Sequence, residues 1–333
     1  WSSLLGVEQI SRNANFFSLG GHSLLAIRLR VAINKTWLKD VSIHQIFAAP
    51  VLEKQALLLA SPNTFEQRIC HLLKKGDTNQ PVFIVHPVGG DTLCYQSLAQ
   101  EWSSSSALYG ICHPDIVSKG KTHTHSDLSE LAKLYVGELK QVQPEGPYQI
   151  MGWSLGGVIC LEIAKHLIKA GDKVAYLGML DSQWHTHEQL TSQAFSTLES
   201  TSESDWLAFD SEYQISELCL ATGLNIEQQR ALVLSGIEGL ERFRATSGLH
   251  IEKVQYFSAN NAAETQSPKE PCIDYLKQIS ECCDVIDINA THYSIVERSK
   301  ASIIDDWVRQ SINKTKGRQC GKQQIIALTK RKI

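Results

Sequence analysis

The sequence predicts two folds in series. Residues 1–60 read as a small all-helical unit of four helices, and residues 81–313 as an α/β domain with a mostly parallel sheet. Three observations predict this. Apolar residues before position 60 recur at helical spacing, with Leu24, Leu25, Ile27, Leu29, Val31 and Ile33 as the longest stripe. From Pro81 onward, short apolar runs alternate with helical patterns, as parallel strands joined by crossover helices do. Between the two regimes, residues 61–80 are polar, carry Pro62 and Gly76, and read as a linker.

Composition fits this plan. A chain of 333 residues suggests about two domains. Hydrophobic residues make up 43% and charged residues 20%, the balance of a globular protein. A formal charge of −3 gives no reason to expect nucleic acid as a partner. No apolar run approaches the roughly 18 residues that span a bilayer, so no membrane is expected. Nine cysteines, an odd count without a C-x-x-C pair, suggest a reduced, cytoplasmic chain.

In the first unit, Trp1, Leu4 and Leu5 read as the tail of a helix whose start is missing, so the chain is expected to be a piece of a longer one. Leu24–Ile33 supplies the second helix, Ser42–Ala48 a short third and Val51–Ala60 the last. Some sixty residues with a truncated first helix are marginal for independent stability. Ile69–Leu73 could be a short strand or helix, and Lys74–Gln80 reads as a hinge.

In the α/β domain, Val82–Val85 leads into His86-Pro87-Val88-Gly89-Gly90-Asp91. A helix begins at Leu93, Tyr109–Ile111 is the next strand, and Leu128–Val142 is a helix. Tyr148–Met151 is a buried strand, Leu155 opens a helix that ends at Gly171, and Val174–Leu180 is another strand. The alternation breaks over residues 182–249. There a polar stretch precedes helical patterns at Ile215–Ala221 and Ile226–Phe243, which suits a helical lid. Sheet resumes at Val254–Phe257 and Val285–Ile288, and a final helix runs from about Ser299 to Ile312. Residues 314–333, with seven basic side chains and no acidic one, are expected to be a disordered tail.

The chemistry centres on Gly152-Trp153-Ser154-Leu155-Gly156, a G-x-S-x-G pattern between a strand and a helix. In that setting it is a nucleophile elbow, a tight turn that lifts the serine hydroxyl clear of the sheet. A serine needs a base, and the base an orienting carboxylate. In α/β-hydrolase order the acid follows the serine and the histidine comes last. Asp181 ends the Val174–Leu180 strand, where α/β sheets place functional groups. Asp172 lies at the wrong end of that strand and Asp210 inside the expected lid. Asp181 could instead be a helix cap.

His292 follows the last strand and is the best placed base, whereas His86 reads as structural. His123/His125 and His185/His187 form H-T-H pairs, but no Cys or carboxylate spacing completes a metal site. The amides of Leu155 and Val88 are the candidate oxyanion-hole donors, since Pro87 has no N–H.

Two stretches carry a family resemblance. Asn15-Phe16-Phe17-Ser18-Leu19-Gly20-Gly21-His22-Ser23-Leu24 resembles the carrier (thiolation) motif of nonribosomal peptide synthetases. The resemblance implies Ser23 as the attachment point of 4′-phosphopantetheine, with His22 in the recognition surface. Asn15 stands where the family usually has an acidic residue. Chemically, a serine opening a helix sits at a positive dipole end that favours a phosphodiester. The plain alternative is Ser23 as an N-cap.

H-P-V-G-G-D, P-E-G-P-Y, G-W-S-L-G-G, L-D-S and the late His292 together resemble the type I thioesterase domain that ends such synthetases. That resemblance implies a Ser154–Asp181–His292 triad, with Thr291 a departure from the glycine the family often has there. It also implies a peptidyl or acyl thioester substrate, a phosphopantetheinyl transferase as partner, and upstream condensation and adenylation domains. The alternatives are an editing thioesterase, a non-catalytic carrier-docking module, and a free-standing esterase.

Overall fold

A computed structural model describes residues 1–21, 23–37, 41, 45–46, 49–60, 68–117, 127–183, 227–228, 231–232, 246, 248–260 and 269–314. The expected lid lies almost wholly outside these residues. So do the tail beyond Lys314, His22, Asp210 and both H-T-H pairs. The chain divides into two compact units, the first holding Trp1–Arg68 and the second the sheet. No helix among the described residues is long and apolar enough to cross a membrane.

In the first unit, the described helices are Ser2–Leu5, Ser23–Trp37 and Leu52–Ala60, and Gln45 and Ile46 are helical. Helix Ser23–Trp37 buries Ala26, Leu29 and Ile33, whereas Val31, part of the expected stripe, is exposed. Alternating hydrophobics cannot all share one face of a 3.6-residue helix. Phe16 is fully buried, with Trp1 edge-on at 5.1 Å and Phe17 at 5.4 Å. Asn15 bridges to Val51, and its Oδ1 accepts from the amides of Phe17 (2.9 Å) and Ser18 (3.3 Å). An uncharged amide thus closes the turn that a carboxylate would close in an acidic version of the motif.

Among the described residues the second unit is built on seven strands: β1 (Cys70–Lys74), β2 (Asp77–Val85), β3 (Ser106–Ile111), β4 (Tyr148–Trp153), β5 (Val174–Leu180), β6 (Ile251–Ala259) and β7 (Ser280–Ile288). They are ordered β1-β3-β2-β4-β5-β6-β7. Only β1 runs antiparallel to its neighbour; the other pairs are parallel, an α/β-hydrolase arrangement. The linker expected over 61–80 is therefore corrected at its far end. Residues 70–74 and 77–80 are sheet, because backbone pairing extends past the apolar run into exposed residues.

Alternation along the strands feeds two apolar layers. Phe83, Val85, Ile150 and Met179 pack under helices Leu128–Val142 and Leu155–Lys169. Val82, Ile84, Met151 and Phe257 pack under helices Gln96–Glu101 and Arg298–Lys314. Helix Leu128–Val142 is capped by Asp127, whose side chain accepts from the Ser129 amide at 2.8 Å. Helix Glu270–Gln278, with Pro271 in its first turn, was not expected from sequence. In register, Val85 pairs with Gly152, Trp153 with Leu180, Leu180 with Phe257, and Ala259 with Ile288. Strand ends are thereby aligned, and the loops after β2, β4, β5 and β7 leave the sheet at one edge.

Candidate active site

Ser154 stands between β4 and helix Leu155–Lys169 with φ 54° and ψ −126°. A side chain held at positive φ costs about 1–3 kcal/mol and needs its surroundings to enforce it. Here the enforcement is visible. The Ser154 amide donates to Leu180 O at 3.0 Å, and the Gly157 amide donates to Ser154 O at 3.1 Å. The Trp153 amide donates to the Tyr95 hydroxyl at 3.0 Å, and that hydroxyl donates to Val85 O at 2.6 Å.

The flanking glycines are needed because backbone lies too near. A Cβ on Gly152 would stand 2.3 Å from the Gly156 carbonyl carbon, and one on Gly156 2.4 Å from Val85 O.

Asp181 follows β5 with φ 44°, its amide donating to Phe257 O at 2.7 Å. Its side chain is 2% exposed. His292 lies after β7 and donates through Nδ1–H to Asp181 Oδ2 at 2.8 Å. A carboxylate only accepts, so Nδ1 carries the proton and the Nε2 lone pair faces Ser154 Oγ at 3.1 Å. Ser154, Asp181 and His292 thus form one hydrogen-bonded run at the strand-end edge. Such a run can draw a proton from the serine and hold the resulting imidazolium.

Thr291 is accommodated by a reciprocal cap. Its amide donates to Ser294 Oγ at 2.9 Å, and the Ser294 amide donates back to Thr291 Oγ1 at 3.1 Å. This anchors the 3-10 turn Ser294–Val296 just after the histidine.

The charge on Asp181 is settled by opposing effects. Burial disfavours it, but the bonds from His292 and Lys269, the Lys269 charge and the Ala259 amide outweigh burial and hold the carboxyl below its usual range. Lys269 is the residue sequence reasoning missed. Its ammonium lies 2.6 Å from Asp181 Oδ1, and the Ala259 amide donates to the same oxygen at 2.9 Å. Two aromatic residues were missed too. Tyr95 ties the elbow to the end of β2, as above. The Trp153 indole donates to His292 O at 3.0 Å, its ring 5.4 Å from the imidazole. Tyr293, 45% exposed, meets both rings edge-on at 6.2 and 5.1 Å.

Leu155 opens the elbow helix, where an amide has no partner within its own helix. Val88 lies in the turn after β2, closed by the Gly90 amide donating to Pro87 O at 2.9 Å. The close packing of Gly156 on Val85 O and His86 O brings the root of this turn against the start of the elbow helix.

His86 is occupied elsewhere. Its Nδ1–H donates to Pro87 O and its Nε2 accepts from the Tyr135 hydroxyl, both at 2.7 Å. Burial pushes its pKa down to about 4. Asp172 pairs with Lys140 at 2.7 Å, at the opposite end of β5 from Asp181. Among the described residues, no cluster of His, Cys, Asp or Glu could hold a metal ion.

Ser23 opens a helix of 15 residues whose first turn holds no acidic residue. A first turn without a carboxylate leaves the positive end of that helix uncompensated by its own residues, and the position fits a phosphopantetheine linkage.

Comparisons with known proteins agree with this division of the chain. Residues 1–59 match the family model of the phosphopantetheine attachment site, and residues 80–215 that of the thioesterase domain. Malpinin synthetase of Mortierella alpina is 34% identical over 185 residues, which is 55% of this chain and 2% of that protein. Enterobactin synthase component F of Escherichia coli K12 is 32% identical over 185 residues, 55% of this chain and 14% of that protein. The chain therefore spans a small share of the relatives it matches. A crystal structure of a four-domain nonribosomal peptide synthetase bound to AMP and glycine has the same fold, with a TM-score of 0.60 at 20% identity over 93% of this chain and 25% of that one.

Proposed function

From a chain whose two matched domains make it the carrier–thioesterase pair of a nonribosomal peptide synthetase, we propose that it releases a finished peptidyl or acyl chain through an acyl-enzyme on Ser154. The observation that carries this reading is the hydrogen-bonded run from Ser154 through His292 to Asp181, at 3.1 and 2.8 Å. A 4′-phosphopantetheine arm on Ser23, added by a phosphopantetheinyl transferase, supplies the thiol that presents the chain as a thioester. Upstream condensation and adenylation domains build that chain.

His292 Nε2 takes the Ser154 proton as Oγ attacks the thioester carbonyl. The amides of Leu155 and Val88 face the developing oxyanion; such a donor is worth about 3–4 kcal/mol. The imidazolium, held by Asp181, gives its proton to the departing thiol. His292 then activates the second nucleophile, which displaces Ser154. Water gives a free acid, and an amine or hydroxyl of the chain itself gives a ring.

An editing role is not favoured, because the carrier and the thioesterase share one chain. A free-standing esterase would not need Ser23. The test loads an acyl group onto Ser23 and weighs the released product. The free-acid mass reports hydrolysis, and a mass lower by one water reports cyclisation. Ser23→Ala is expected to abolish this release while leaving Ser154 labelled normally by a fluorophosphonate. Release that survives Ser23→Ala, or a Ser154 that never labels, would overturn the proposal.

A further inference from the structure

Lys269 is an ammonium where a solvated one is the rule. Its side chain is 9% exposed, so it has left most of its water behind. Three N–H donors meet three protein acceptors: Asp181 Oδ1 at 2.6 Å, Ser258 Oγ at 3.3 Å, and Ala259 O. The two oxygens of Asp181 are thereby divided. Oδ2 receives His292, while Oδ1 receives Lys269 and the Ala259 amide.

A charge-bearing carboxylate this buried would hold a proton on its histidine strongly, because imidazolium would be its natural counter-ion. With the Lys269 ammonium on the other oxygen, the carboxylate still orients the imidazole but attracts its proton less. Other groups facing the pair from the described elements are Tyr256 and Ser258 on β6, Cys272 on helix Glu270–Gln278, and His292 after β7. Tyr256 and Cys272 are buried, and the Tyr256 hydroxyl is pushed well up by burial and by the Asp181 charge. Among the described residues Asp181 is thus ion-paired with Lys269 and hydrogen-bonded to His292.

We infer that Lys269 is a positioning residue of the Ser154–His292–Asp181 run: its charge on Asp181 Oδ1 lowers the proton affinity of the Asp181–His292 pair and extends the serine's reactivity to lower pH. This rests on the triad reading above. Its sign is fixed by the charge. Without Lys269, a proton on either member of the pair is held more tightly, so the base is lost at a higher pH as the solution is acidified.

The test follows the rate at which a fluorophosphonate labels Ser154 in the full chain across pH, a readout that needs no knowledge of the acyl group. Lys269→Met removes the charge while keeping the stem, and Lys269→Gln is the polar alternative. The acid limb of the labelling rate is expected to move up by about one pH unit in both. Lys269→Arg keeps the charge and is expected to keep the limb in place, even if the rate falls.

An acid limb that does not move in Lys269→Met or Lys269→Gln would overturn the inference, whatever happens to the rate. A limb that moves equally in Lys269→Arg would do the same. So would a charge required for folding itself, seen as Met and Gln variants that do not fold beside an Arg variant that does. A wild-type chain that does not label at any pH is a different failure, that of the triad reading.

Discussion

Gly156→Ala perturbs the elbow by a known amount. A Cβ there would stand 2.4 Å from Val85 O and 2.8 Å from His86 O. Ordinary contact begins near 3.4 Å, so the start of the elbow helix and the end of β2 must part by about 1 Å, on the scale of an overpacked core site. Both atoms are backbone and neither can rotate away. Leu155 rides on one side of this contact and the root of the Val88 turn on the other, so the gap opens between the two proposed oxyanion donors. A misplacement of about 1 Å can cost roughly 100-fold in rate, which is about 2.7 kcal/mol. Overpacking should also lower stability by about 1–3 kcal/mol.

The assay is stopped-time fluorophosphonate labelling of Ser154 by intact mass, with urea unfolding on the same samples. Gly137→Ala is the control. Gly137 lies in helix Leu128–Val142, and a Cβ there meets nothing within 4 Å. It should gain up to about 1 kcal/mol in stability and label at the wild-type rate. Wild-type labelling and stability in Gly156→Ala would refute the reasoning that this contact sets the spacing of the site.

Two other outcomes follow from the same geometry. Burial holds His86 at a pKa of about 4 in the fold, against about 6.5 in an unfolded chain. The unfolded state therefore takes up more protons between these values, and stability is full above pH 6.5 and falls as pH drops toward 4. The loss approaches about 3 kcal/mol at most; urea melts at pH 7 and pH 4.5 should show that slope and lose it in His86→Gln. Trp153→Phe removes the indole donor to His292 O but keeps the aromatic ring. Labelling of Ser154 is expected to slow roughly tenfold, the equivalent of one ordinary hydrogen bond, with the melting temperature little changed; an unaltered rate would mean the indole does not position His292.

Much of the fold was legible because buried parallel strands leave uninterrupted apolar runs. Val174–Leu180 and Leu128–Val142 coincide with their observed elements. Strand ends were not legible where they are wet. Asp77–Gln80 are exposed yet extend β2, and the mostly polar Ser280–Asp284 begins β7, because backbone bonds continue where burial stops. Helix Glu270–Gln278 buries only Cys272 and Leu276, too thin a stripe to register, although Pro271 in its first turn was an available sign.

Ser154, Asp181 and His292 stood out because each follows a recognisable run. Lys269 had no such mark. A lysine reads as solvated, and nothing local announces a carboxylate 88 residues earlier in the chain. Trp153 and Tyr95 carried no such mark either, though Trp153, adjoining the serine, could have been singled out by position alone.

The amides of Ser154 and Asp181 are themselves the next rungs of the sheet ladder, bonded to Leu180 O and Phe257 O. Ser154 and Asp181 are therefore not mounted on a loop that can soften first; they share the rigidity of the central strands. On heating, their alignment should persist until the sheet gives way, so the capacity to be labelled and the folded fraction should vanish along one and the same curve.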